Sequence, residues 1–166
     1  MDTWTLRRTQ PADHDWIEAF VAEQWGAPIS ISRGHVCRPA ALPGFAAEAP
    51  GGELLGLVTY RIDAADCEIV TLNSLRSGAG IGSALIDAVR GEAWAHGCRR
   101  LWLITTNDNL HALGFYQKRG FVLAALRPNA LAESRRIKPS IPLVGMDGIP
   151  LRDEIELEMR LDDGGG

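Results

Sequence analysis

The sequence predicts an α/β domain of the α+β kind, and three observations predict it. Residues 53–62 and 67–75 are rich in aliphatic and β-branched side chains and flank the turn-prone 63–66, which reads as two adjacent antiparallel strands. Closely spaced glycines follow, and then Ile81, Leu85, Ala88, Val89 and Ala93 recur at helical spacing before a buried strand at 101–106. The chain has 166 residues, and one domain of that length buries roughly 70% of its unfolded surface.

Taken in order, residues 4–8 alternate apolar and polar as a short strand does. Pro11 then opens a helix with a stripe of Ile17, Phe20, Val21 and Trp25, which places Trp25 in the core, and Gly26 and Pro28 end it. From there to Pro50, scattered Pro and Gly leave short extended pieces in no assigned order. The strand pair comes next, then the helix begun by Ile81 and capped at Gly97. The strand at 101–106 leads to a helix over 109–119, stopped by Gly120, and to a strand over 121–126. The middle of the chain is therefore β-loop-α-β-α-β. After Pro128 a short helix runs through Arg136, and a Pro-rich and Gly-rich crossing covers 138–150. Ile155, Leu157, Met159 and Leu161 alternate with charged residues in a last strand. One domain over 1–163 is expected, with Gly164, Gly165 and Gly166 as a flexible end.

Composition narrows the function classes. At 46% hydrophobic and 23% charged residues the chain reads as globular. Its longest uncharged runs, such as 78–86, fall well short of the ~20 apolar residues of a membrane span. Residues 1–10 lack a signal-peptide pattern, so a cytoplasmic protein is expected. A net charge of −4 gives no reason to expect nucleic acid as a partner. The 15 Arg against 2 Lys, with abundant Ala and Gly, suggest a high-GC bacterial coding sequence. Cys37, Cys67 and Cys98 are odd in number and far apart, which argues against a disulfide framework and a zinc site; they read as small apolar residues, and no metal is expected.

The segment LRSGAGIGSALI places Gly78, Gly80 and Gly82 where a strand gives way to a helix. Free backbone N–H groups, the positive end of the helix and the Ser83 hydroxyl suit a phosphate or pyrophosphate, although such glycines also serve simply to turn a chain. A dinucleotide fingerprint needs a third glycine where Ser83 stands, and a P-loop needs Gly-Lys-Ser/Thr, so both are excluded.

These residues resemble the GNAT N-acetyltransferase superfamily. SGAGIG, comprising Ser77, Gly78, Ala79, Gly80, Ile81 and Gly82, sits on its Gln/Arg-x-x-Gly-x-Gly/Ala loop, with Ser77 where Gln or Arg is usual and Arg76 as a substitute phosphate contact. NLHALGFYQKRGF matches the second signature through Asn109, Ala112, Phe115, Tyr116, Gly120 and Phe121. The resemblance runs from about Glu53 to Leu126. It implies a mixed, mostly antiparallel sheet with helices on both faces, splayed at an acetyl-CoA site.

It also implies roles. Leu72, Asn73 and Ser74 would pair with the pantetheine arm of acetyl-CoA and polarise the thioester carbonyl through a backbone N–H. The loop from Ser77 to Ser83 would hold the pyrophosphate, with Phe115 beside the cofactor. Tyr116 would donate its proton to the coenzyme A sulfur, or else only pack. Asn109 would contact the coenzyme arm or cap its helix. Glu68, a carboxylate among Cys67, Ile69 and Val70 where a raised pKa is expected, would be the base, directly or through water, or else a salt-bridged strand residue. His35 and His111 are weaker titratable candidates.

The function expected is acetyl transfer from acetyl-CoA to a primary amine, of a small molecule or a protein; the alternative is an idle acetyl-CoA-binding sensor or partner module. Acceptor choice would fall to the region of Trp25, Arg33, His35, Arg135 and Arg136, with the last two read as a solvated helix face. Pairing through an edge strand would give a homodimer.

Overall fold

The computed structural model describes residues 3–161; the glycine end at 164–166 lies outside them. The elements in chain order are β1 (Thr5–Arg8), α1 (His14–Trp25), β2 (Ser30–Ser32), β3 (His35–Cys37), β4 (Gly44–Glu48), β5 (Leu54–Asp63), β6 (Asp66–Ser74), α2 (Ile81–Ala95), β7 (Arg100–Thr106), α3 (Leu110–Lys118), β8 (Val122–Arg127), α4 (Ala130–Ile137) and β9 (Glu154–Arg160). Seven strands form one sheet in the order β1-β4-β5-β6-β7-β9-β8. Neighbours are antiparallel except β6 and β7. The segment that sequence patterning left without order contains β4 and a small separate hairpin, β2–β3, whose three-residue strands are too short to carry a periodic signal.

The main core lies on the sheet face covered by α2 and α3. Ile81, Leu85, Ile86, Val89 and Ala93 of α2 are buried against Val58, Tyr60, Cys67, Ile69, Leu101, Leu103 and Leu157, with Phe115 and Tyr116 of α3 packed alongside. Gly56 lets α2 come this close: a Cβ there would lie 2.7 Å from Ile81 Cγ2 and 3.1 Å from Leu85 Cδ1. On the other face Ile17 and Val21 of α1 meet Leu57 in a smaller cluster. Asp13 fixes α1 to the sheet edge, because its carboxylate accepts from Arg7 Nη1 and Nη2 at 2.8 and 2.9 Å and from Trp16 Nε1 at 2.7 Å.

Trp25 corrects one expectation. It is the last residue of α1, beside the left-handed Gly26 that turns the chain away, and it is 46% exposed rather than in the core. The charged residues of β9 are a second surprise. Glu154 and Glu156 are buried, and Glu156 binds Arg100 and Arg127 across the sheet, Arg127 at 2.8 Å, while Arg100 also reaches Glu158 at 3.1 Å. Arg135 differs as well: it donates to the carbonyls of Ile141, Pro142 and Leu151, bracing the crossing after α4, whereas Arg136 remains exposed beside Glu133.

Candidate active site

Strands β6 and β7 pair only from Asp66↔Arg100 to Ile69↔Leu103. β6 runs on to Ser74 and β7 to Thr106 without pairing to one another, so the sheet opens from Val70 and Ile104 onward. The parting coincides with a bulge. Thr59 pairs with Thr71 and Tyr60 with Ile69, which leaves Val70 as an extra residue on β6. The bulge resets the alternation of side chains, so Asp66, Glu68, Thr71 and Asn73 share the face opposite α2, although a strict period of two would separate Glu68 from Thr71. Cys67 and Ile69 point into the main core, where burial pushes the Cys67 thiol up to about 12. A thiol held protonated this way is no nucleophile.

Leu72, Asn73 and Ser74 border the opening. Their backbone edge on the β7 side has no strand partner, and the Asn73 side-chain oxygen is buried without a hydrogen-bond partner. Past Ser74, whose hydroxyl donates to the Arg76 carbonyl at 3.2 Å, the chain turns through Ser77 to Gly80 into α2. Gly78 and Gly80 have φ of 74° and 77°, conformations that favour glycine, and a Cβ on either would meet nothing within 4 Å. Gly80 caps α2 without a side-chain bond, so the amides of Ile81, Gly82 and Ser83 lie at the positive end of the helix without a side-chain partner from the cap residue. The Ile81 side chain is in the core and that of Ala79 packs against it, so these two offer backbone only.

Gly82 and Ser83 carry contacts that the loop pattern does not announce. A Cβ on Gly82 would lie 2.8 Å from Phe115 Cζ, so this glycine makes room for the ring. Ser83 Oγ accepts from Arg119 Nε at 2.7 Å, which leaves its own proton free to donate. The Arg119 guanidinium lies 3.5 Å from the Phe115 ring centroid and also donates to the Phe115 carbonyl at 2.8 Å. Arg119 thus brings a positive charge to the glycine loop. The sequence marks it only as the end of a helix, three residues past Tyr116.

Tyr116 packs edge-on against Phe115 at 5.3 Å and Phe121 at 5.5 Å, and burial holds its phenol well above the usual range. Asn109 is the N-cap of α3, its Oδ1 accepting from the Ala112 N–H at 3.0 Å. His111 stacks on Phe115 at 6.3 Å on the exposed side. Glu68 is 3% exposed, and here an expectation needs correcting: its carboxylate does not sit among apolar groups alone, because Arg61 Nη2 donates to Oε1 at 2.8 Å. The tight turn between Asp63 and Asp66 sets the register that places Arg61 opposite Glu68. Tyr116 and Glu68 therefore stand on opposite faces of the sheet, and the gap between β6 and β7 is the opening between those faces.

On the Glu68 face a cavity of about 240 Å³ is lined by Ser32, Arg33, His35, Arg61, Asp63, Asp66, Glu68 and Trp102. The β2–β3 hairpin forms its roof. Arg33 and Gly34 turn the hairpin with φ of 54° and 78°, which sets the Arg33 guanidinium 5.2 Å from the Trp102 ring centroid. The Arg33 N–H reaches Glu154 Oε1 at 3.4 Å, and burial raises the Glu154 carboxyl above its usual range while this bond works against the rise. Ser32, Arg61, Trp102 and Glu154 were missed in the sequence because each comes from a different element. Among the described residues no group of three His, Cys, Asp or Glu is arranged to hold a metal, and no helix is long and apolar enough to cross a membrane.

Comparison with known proteins accords with this geometry. The profile of the acetyltransferase (GNAT) family matches residues 6–121. Protein YdhI of Bacillus subtilis (strain 168) is 50% identical over 137 residues, covering 82% of this chain and 85% of that protein. Among solved structures, an IAA acetyltransferase from Bacillus cereus ATCC 14579 superposes with a TM-score of 0.73 at 20% identity, over 96% of this chain and 100% of that one. A GNAT family acetyltransferase from Elizabethkingia anophelis, with acetyl-CoA bound, gives 0.68 at 21% identity over 97% and 100%. A family match over residues 6–121, most of the chain, makes this protein a member of the GNAT acetyltransferase family.

Proposed function

We propose that this chain transfers the acetyl group of acetyl-CoA to a primary amine, with the cofactor entering on the α2 and α3 face and the amine on the Glu68 face. The observation that carries the reading is the opening between β6 and β7 beyond Ile69 and Leu103, with the glycine loop at one end and Glu68 at its vertex.

When bound, acetyl-CoA supplies an activated acyl group. The amides of Gly78, Gly80, Ile81, Gly82 and Ser83 hold its pyrophosphate, with the Arg119-polarised Ser83 hydroxyl as a further donor. Ser77 adds a hydroxyl in place of a long side chain, so amides carry the load. The unpaired edge at Leu72, Asn73 and Ser74 takes the pantetheine amides, and a backbone N–H there polarises the carbonyl. Asn109 has its oxygen committed to the cap and presents its amide nitrogen to the arm; Phe115 walls the site. The acceptor amine attacks in its neutral form and Glu68 takes the proton it sheds as the C–N bond forms, while Arg61 keeps the carboxylate aimed. Tyr116, held protonated by burial, delivers a proton to the departing sulfur. The edge strand β8 exposes Val122, Leu123 and Leu126, and it is the surface on which a second copy would pair.

The test is turnover of acetyl-CoA with a panel of primary amines, following thiol release and the mass of the product. Thiol release with an amine-bound acetyl group is the expected result. Tight acetyl-CoA binding without turnover of any amine would instead make the protein a sensor.

A further inference from the structure

The cavity beneath the β2–β3 hairpin has features that the acetyl-transfer chemistry leaves unused. Arg33 and Arg61 contribute two positive charges to its lining and Asp63, Asp66 and Glu68 three negative ones, which leaves these five side chains a net −1. Arg61 is committed to Glu68. Asp63 and Asp66 stand directly opposite one another in the β5–β6 register, and neither has an ion-pair partner among the described residues. Like charges in that position cost stability unless a cation joins them.

An independent observation comes from the roof. Ser32 is 8% exposed and its hydroxyl is buried without a hydrogen-bond partner, although it lines the same cavity. A buried polar group left in this way is unfavourable, and a ligand N–H would relieve it. The volume of about 240 Å³ falls below the roughly 300–1,000 Å³ of pockets that take drug-sized ligands, so the occupant is small.

We propose that this cavity binds a small acceptor carrying a second cationic group, a diamine in chemical class. The proposal rests on the amine-acetylation reading above. The reacting amine lies at Glu68, beside the vertex of the opening, and must be neutral to attack. The second ammonium lies between Asp63 and Asp66, where its single charge balances the net −1. Glu68 and Asp66 are two residues apart on one strand, so the two nitrogens are separated by about 7 Å, the reach of a four- or five-carbon chain. Ser32 accepts an N–H from the roof. In the transfer a C–N bond forms and the C–S bond breaks. One proton leaves the amine for Glu68 and one reaches the sulfur from Tyr116, so the atoms balance without another reactant.

The experiment compares steady-state kcat/KM for 1,4-diaminobutane and 1,5-diaminopentane with that for butylamine, pentylamine and 4-aminobutanoate. It is run on the native chain and on the D63N/D66N variant, with a melting curve for each. The diamines are expected to exceed the monoamines by about tenfold through KM, the worth of one partly desolvated ion pair. In the variant this ratio falls to about one while the fold is kept, since the change removes a repulsion. Equal kcat/KM for diamines and monoamines, a ratio that survives D63N/D66N, or preference for 4-aminobutanoate would each overturn the proposal and leave amine acetylation standing. Absence of any amine turnover would overturn both.

Discussion

Replacing Tyr116 by Phe separates chemistry from packing at one atom. The ring contacts with Phe115 and Phe121, at 5.3 and 5.5 Å between centroids, belong to the ring and survive the change. Melting temperature and coenzyme A affinity should therefore stay close to the native values, with any stability change within about 1 kcal/mol. The proposed proton donor to the departing sulfur is lost, and general acid catalysis of this kind is worth about 10²–10⁴ in rate, or roughly 3–5 kcal/mol of barrier. The assay is single-turnover thiol release at saturating acetyl-CoA, beside calorimetric binding of coenzyme A to both proteins. The pH profile adds a sign. Burial raises the Tyr116 pKa, so the acid form persists above the usual phenol range and the native rate should not fall between about pH 8 and 10 for loss of this acid. Native turnover in the variant would refute the acid role. A lower turnover matched by weaker coenzyme A binding and a lower melting temperature would refute the claim that Tyr116 acts through its hydroxyl.

Glu68→Gln keeps the shape and the bond from Arg61 but cannot take a proton, so kcat/KM should fall about a hundredfold with KM for acetyl-CoA unchanged; an unchanged rate would move the base elsewhere. Asp13→Asn should cost about 2 kcal/mol in urea titration at pH 7, the Coulomb share being screened because Arg7 is more than a third exposed. Its Arg7 bond, against opposing burial, lowers the Asp13 pKa on folding. This stability is present above the unfolded value near 4 and is lost as pH falls toward the folded value, so the gap between native and variant should shrink below about pH 4. A gap of constant size would contradict it. Gly82→Ala gains about 1 kcal/mol of helix propensity but puts a Cβ 2.8 Å from a Phe115 ring held under Arg119, and the overpacking of about 1–3 kcal/mol should win. Lower stability together with weaker coenzyme A binding is expected, and a stabilised variant would show that the ring yields freely.

What sequence reading captured and what it lost follow from the range of the interactions. The α2 stripe, the glycine loop and the succession of elements from β5 to β8 rest on local periodicity and on residues such as Gly78 and Gly80, whose φ only glycine adopts readily, so they were legible. The extra Val70 in β6 was not, because a bulge is defined by its partner strand and not by its own sequence. That one residue shifts the register beyond Ile69 and puts Thr71 and Asn73 on the face of Glu68. The cavity roof was equally hidden: the Arg33–Trp102 contact joins residues 69 positions apart, and the three-residue strands that hold it lack a pattern. Tyr116 stands out through its motif, while Arg119, just beyond, does not, because its partner Ser83 lies 36 residues earlier.

The most direct measurement is calorimetric titration of the purified protein with acetyl-CoA, coenzyme A and NADH in parallel. Micromolar binding of the first two and none of NADH is expected. Failure of both coenzyme A species to bind would contradict the central claim, since neither the glycine loop nor the opening between β6 and β7 would then have its proposed occupant.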